Sequence, residues 1–157
     1  MLEWIYLTNR VRYSEIFENK EIHNKDFCLN SLIKQENRMF GKLAAEALDL
    51  KENDISRLYE EDLYQLILHE VGHTLGLNHN FAASTLHNNS DIHNPEITYK
   101  EGLSSSVMDY HALNIAPLGI KQGQYADIKP GNYDILAIRY GYTPELSKKD
   151  LNNMLDL

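Results

Sequence analysis

The run His69-Glu70-Val71-Gly72-His73-Thr74-Leu75-Gly76-Leu77-Asn78-His79 sets three imidazoles and a carboxylate at the spacing that a catalytic zinc site requires. Positions i and i+4 of a helix share one face, a turn apart, so His69 and His73 can converge on one ion. Glu70 lies beside them, where its carboxylate can take a proton from an attacking water and hand it to a leaving amine. Gly76 has no Cβ, so it can adopt the left-handed conformation that ends a helix. The chain then turns and His79 swings back as a third ligand. The pattern points to metal-assisted hydrolysis.

A bare pair of histidines around a glutamate arises by chance on many solvent-facing helices. The extended pattern fixes five positions with residue types that are each a few per cent of average composition, so a chance match in a chain this long is on the order of one in 10⁵. The flanking sequence agrees. Asn53 to Leu68 reads as an amphipathic helix that starts at an Asn/Asp cap and runs into the motif, with Ile55, Leu58, Tyr59, Leu63, Leu66, Ile67, Val71 and Leu75 at helical spacing. The competing reading is a surface helix whose histidines only cap or pack it.

A second element lies downstream, Ser104-Ser105-Ser106-Val107-Met108-Asp109-Tyr110. Together with the zinc motif it resembles the metzincin superfamily of zinc metallopeptidases, which pairs the long motif with a methionine turn beneath the metal. Within that superfamily, His79-Asn80-Phe81-Ala82-Ala83-Ser84, the Ser-Val-Met-Asp-Tyr turn and the stretch from Tyr133 to Tyr142 look like a little-characterised group of bacterial zinc-dependent metalloproteases. Better-known metzincins carry other residues where this chain has Asn80, so their substrate preferences do not transfer. The resemblance implies that His69, His73 and His79 are zinc ligands, Glu70 the general base and acid, and Met108 a residue under the metal that does not touch it. It also matches Tyr110 to a tyrosine that, in astacin-like and serralysin-like relatives, helps stabilise the tetrahedral oxyanion, against the plainer reading of a tyrosine packed on the turn.

The chain has 157 residues, enough for one domain with a core, and a formal net charge of -8. No basic run is visible, which argues against a nucleic-acid partner. Acidic groups such as Glu60-Glu61-Asp62 read as a solvated face. One cysteine, Cys28, excludes an intramolecular disulfide and does not sit in a peptide that would hold a zinc enzyme latent. Met1 to Tyr6 lacks the character of a signal peptide and no segment reaches membrane-spanning length, although the resemblance implies a secreted or periplasmic protein.

A first helix is expected from about Ser31 to Leu50, with Leu32, Ile33, Met39, Phe40, Leu43, Ala44 and Ala47 on its buried side and Gly41 weakening it. In the metzincin arrangement it would back the zinc helix. His87 to Pro95 reads as a polar loop, and His23, His87, His93 and His111 as surface histidines. Asn114 to Pro130 reads as an irregular connection. Asn132 is expected to cap a helix that Gly141 ends, and Ser147 to cap a short last helix.

Only Trp4 to Arg12 has strand-like composition, and a single strand makes no sheet. The expectation is therefore one α+β, helix-dominated zincin-like (metzincin) catalytic domain over residues 1–157, with parts 1–79 and 80–157 and an incomplete N-terminal sheet, as in a truncated protease. The expected function is a zinc-dependent endopeptidase acting on peptide or protein substrates, poorly active alone and prone to self-association through exposed apolar surface. The rivals are a zinc-binding fragment without turnover that serves as a peptide-binding module, and a helical interaction domain with an accidental motif.

Overall fold

The computed structural model describes residues 30–145 and 147–155. The expectations for Trp4 to Arg12, His23 and Cys28 lie outside them. Among the described residues all regular structure is helical: α1 (Asn30–Ala47), α2 (Glu52–Thr74), α3 (Pro95–Glu101), α4 (Asn132–Tyr142) and α5 (Lys148–Leu155), with 3-10 turns at Ala83–Thr85 and Asp91–His93. The helix-dominated part of the expectation holds. A sheet is not seen among these residues.

α1 ends before the expected Leu50, because Asp49 takes a positive φ of 50°. Its inward side is also not the expected one. Lys34, Gly41 and Ala45 are buried, whereas Met39, Phe40 and Leu43 are exposed. Two contacts set this rotation. The Lys34 ammonium pairs with Asp62 at 2.8 Å, both groups being out of solvent. A Cβ on Gly41 would come within 2.8 Å of the Leu113 side chain, so the missing side chain lets α1 approach closely.

α2 starts at Glu52 with Lys51 as cap residue, one position before the expected Asn53, and carries Glu52 and Asp54 in its first turn, where the helix dipole favours negative charge. Its buried residues are Leu58, Glu61, Asp62, Gln65, His69 and Gly72, a largely polar stripe. Tyr59, Leu63, Ile67, Val71 and Leu75, which stand at helical spacing along its apolar stripe, are exposed. Glu61 and Asp62, read as solvated, are buried: Glu61 accepts the Tyr125 N–H at 2.5 Å and Asp62 holds Lys34 and Arg38. Hydrophobic spacing identifies a stripe, but it does not say which neighbour the stripe meets.

Residues 103–131 wrap this polar stripe without regular elements. Leu113, Tyr125 and Ala126 close over Leu58 to form the small apolar core. The loop after His79 is more ordered than expected, since Asn94 caps α3 by accepting the Glu96 N–H at 3.0 Å and Pro95 occupies the first helical turn. Of the four histidines read as surface groups, His111 is nine-tenths buried, 3.4 Å from Asp127, and His87 meets the Gly102 carbonyl at 2.8 Å. α4 does not end at Gly141. It runs to Tyr142 and stops at Thr143, which Pro144 holds in an extended conformation. Ser147 and Asp150 cap α5 reciprocally, as expected of Ser147.

Candidate metal centre

His69 and His73 leave α2 from adjacent turns, and the chain then reverses within three residues. The Leu77 N–H reaches the Gly72 carbonyl and the Gly76 N–H reaches that of His73, both at 3.0 Å, with Gly76 at φ 85°. This is a Schellman ending, whose left-handed residue favours glycine. It returns the chain so that His79 faces the helix: His73 Nε2 and His79 Nε2 lie 3.1 Å apart. The ligand atoms of His69, His73 and His79 all fall within 4.8 Å of one another.

The tautomers of two of these histidines follow from their partners. A carbonyl oxygen only accepts, so His69 Nδ1 donates to the Val107 carbonyl at 2.8 Å and His73 Nδ1 to that of Leu77 at 3.0 Å. Each ring then turns an Nε2 lone pair toward the common centre. Burial lowers the His69 pKa to about 4, helped by the neighbouring His73 and His79 and opposed by its bond to Val107, so this ring is neutral at pH 7. His79 is lowered too, first by burial and then by His73, while the Glu70 carboxylate acts in the opposite sense. Three imidazole nitrogens suit zinc, which takes Zn–N distances of about 2.0–2.1 Å in a tetrahedral set with one position left for water.

Met108 is fully buried beneath the three histidines. A Cβ on Gly72 would come within 2.3 Å of its Sδ, so the thioether rests on the bare backbone between His69 and His73. Gly72 was not singled out in the sequence. A glycine inside a helix costs about 1 kcal/mol relative to alanine, and that cost is the signal that something packs there. The loop carrying His79 is tied to the methionine turn by Asn80 N–H to the Met108 carbonyl at 3.1 Å and by Ser84 N–H to Asp109 Oδ2 at 3.0 Å.

The Tyr110 hydroxyl lies 2.7 Å from His79 Nε2, with its ring 4.6 Å from that imidazole. Glu70 follows His69 on the exposed side of α2, close enough to act electrostatically on His79. Phe81, which was quoted in the sequence without a role, stacks on His79 at 5.5 Å, lies tilted against Tyr110 at 5.2 Å and is 62% exposed. A buried carboxylate on α4 completes the arrangement. Asp134 accepts the Ser106 hydroxyl at 2.5 Å, the Val107 N–H at 2.9 Å and the Gly131 N–H at 2.8 Å.

Residues 51–156 match a protein family described as Met-zincin. No curated protein and no solved structure matches the chain.

Proposed function

The chain belongs to the Met-zincin family, whose cofactor is zinc, and on that premise we propose that it is a zinc-dependent endopeptidase whose ligands are His69, His73 and His79. The observation that carries this reading is the convergence of three imidazoles, two of them with Nδ1 committed to a carbonyl so that a metal would be held through Nε2. Bound zinc would supply Lewis acidity, polarising a scissile carbonyl and making water a nucleophile at neutral pH.

The remaining work falls to side chains of this chain. Glu70 takes the proton of the attacking water and delivers it to the amine that leaves. Tyr110 donates its hydroxyl proton to the oxyanion that develops on the former carbonyl, a charge present only near the transition state. Phe81 offers an exposed aromatic face beside the ligands, which favours peptides with a bulky apolar side chain near the scissile bond.

The test is Glu70→Gln in zinc-loaded protein. Peptide cleavage is expected to vanish while one zinc per chain is retained, because the amide keeps the shape and cannot accept the proton. Tyr110→Phe is expected to lower turnover by roughly 10²-fold with little change in KM. A zinc-loaded parent that cleaves no peptide would replace this reading with that of a zinc-binding module.

A further inference from the structure

The stretch from Tyr133 to Tyr142 has no place in the chemistry above, yet its Asp134 is 3% exposed and holds the methionine turn. The bonds around that carboxylate form a continuous path. The Ser106 hydroxyl donates to Asp134 Oδ1 at 2.5 Å, and the Ser106 Oγ accepts the Met108 N–H at 3.1 Å. That N–H belongs to the peptide group whose carbonyl is Val107 O, and this oxygen accepts His69 Nδ1 at 2.8 Å. Gln65 Nε2 approaches the same carbonyl at 3.3 Å and steadies it from α2.

Each donor along the path is bonded to an acceptor that is itself polarised by the next group, so negative charge at Asp134 strengthens the acceptor that faces His69. A histidine that donates its second nitrogen to a stronger acceptor is a more basic and better oriented metal ligand, which is the known effect of a carboxylate placed directly behind a zinc-bound imidazole. Here the carboxylate stands two groups further back, with a hydroxyl and a peptide unit between. We propose that Asp134 is a positioning residue for the zinc site, acting on His69 through Ser106 and the Val107–Met108 peptide, so that α4 sets the metal affinity of α2. The inference rests on the zinc reading above.

The experiment reads zinc directly, by competition with a chromogenic chelator, without any peptide. Asp134→Asn and Ser106→Ala are each expected to weaken zinc binding by about 10-fold or more, the range known for partners behind metal ligands. Because both residues act along one path, the double variant is expected to bind zinc no more weakly than the weaker single one. The second readout is the proton on His69 Nδ1 in the zinc-loaded protein, observed by NMR. It is expected to move upfield in both variants, while the corresponding proton of His73, which donates to the Leu77 carbonyl, stays in place.

Unchanged zinc affinity in Asp134→Asn would overturn the proposal. So would losses that multiply in the double variant, or a His73 proton that moves as far as that of His69, since either means that the fold has loosened generally. If Asp134→Asn does not fold, Ser106→Ala decides alone on the same two readouts, with unchanged values overturning the path. A parent chain that binds no zinc would sink the functional reading and the path together, whereas a zinc-binding parent with indifferent variants sinks only the path.

Discussion

The two faces of α2 are held by different physics. The inward face carries Glu61, Asp62, Gln65 and His69, and each has a particular partner: the Tyr125 N–H, the Lys34 ammonium, and for the last two the Val107 carbonyl. The outward face carries Leu63, Tyr64, Ile67 and Val71, all exposed among the described residues. Directional bonds fix the rotation and height of the helix to a few tenths of an ångström, which a metal site needs, while apolar contact fixes neither so closely. The helix therefore has its polar side buried where geometry matters, and the cost of desolvating those groups is offset because nearly every one is paired.

Asp62→Asn is the strongest way to break this contrast. It strands the Lys34 ammonium, which burial already makes reluctant to stay charged and which the Asp62 partner opposes. Removing one member of a buried pair costs about 3–5 kcal/mol, much of the stability of a domain this size. Thermal denaturation of the metal-free chain should show it, and a melting temperature within a degree or two of the parent's would mean that the inward face is wetter than its geometry implies.

Acid provides the next effect. His69 titrates near pH 4 when folded and near 6.5 when unfolded, so between those values the unfolded chain binds more protons. The stability that neutral His69 contributes is complete above about pH 6.5 and is lost as pH falls toward 4. Melting of the metal-free chain across that window reports it, and a His69→Phe variant should flatten the slope. An equal slope in the variant would assign the acid sensitivity to other groups.

Gly76→Ala sharpens the comparison at the end of the helix. Nothing lies within 4 Å of the added Cβ, so the loss is confined to backbone strain at φ 85°. About 1–2 kcal/mol is expected. Zinc binding should weaken with it, since the reversal that carries His79 is displaced. Retained affinity at reduced stability would separate the turn from the ligand.

Ile67→Glu on the outward face should have the smallest effect, within about 0.5 kcal/mol of the parent. Its consequence should appear in sedimentation instead, where the parent is expected to self-associate through the apolar face and the variant to do so less. A stability loss as large as that of Asp62→Asn would show that Ile67 is covered in solution.

The contrast also explains which parts of the molecule were legible in the sequence. The histidine triad and Gly76 were, because covalent spacing and the handedness of a helix fix where those atoms go, whereas Met108 and Tyr110 were legible only through the resemblance to metzincins. The inward sides of α1 and α2 were not, because periodicity cannot tell whether Met39 and Phe40 or Lys34 and Gly41 meet the neighbour. Asp62 was read as solvated since its partner Lys34 lies 28 positions away, beyond any local pattern. α3 was overlooked although Asn94-Pro95 is a recognisable helix start. Asp134 needed the methionine turn folded against it before its role was visible.

The reversal at Gly76 also bears on how the site is assembled from a disordered chain. His73 and His79 are separated by 6 residues, whereas His69 and Val107 are separated by 38. Chain-closure entropy grows as the logarithm of that separation, so bringing His79 to the helix is less costly than docking Val107 by about 1.6 kcal/mol. All three histidines thus lie within eleven residues of chain, and the long-range closure only has to seat a methionine and a carbonyl against a helix end whose shape is already determined.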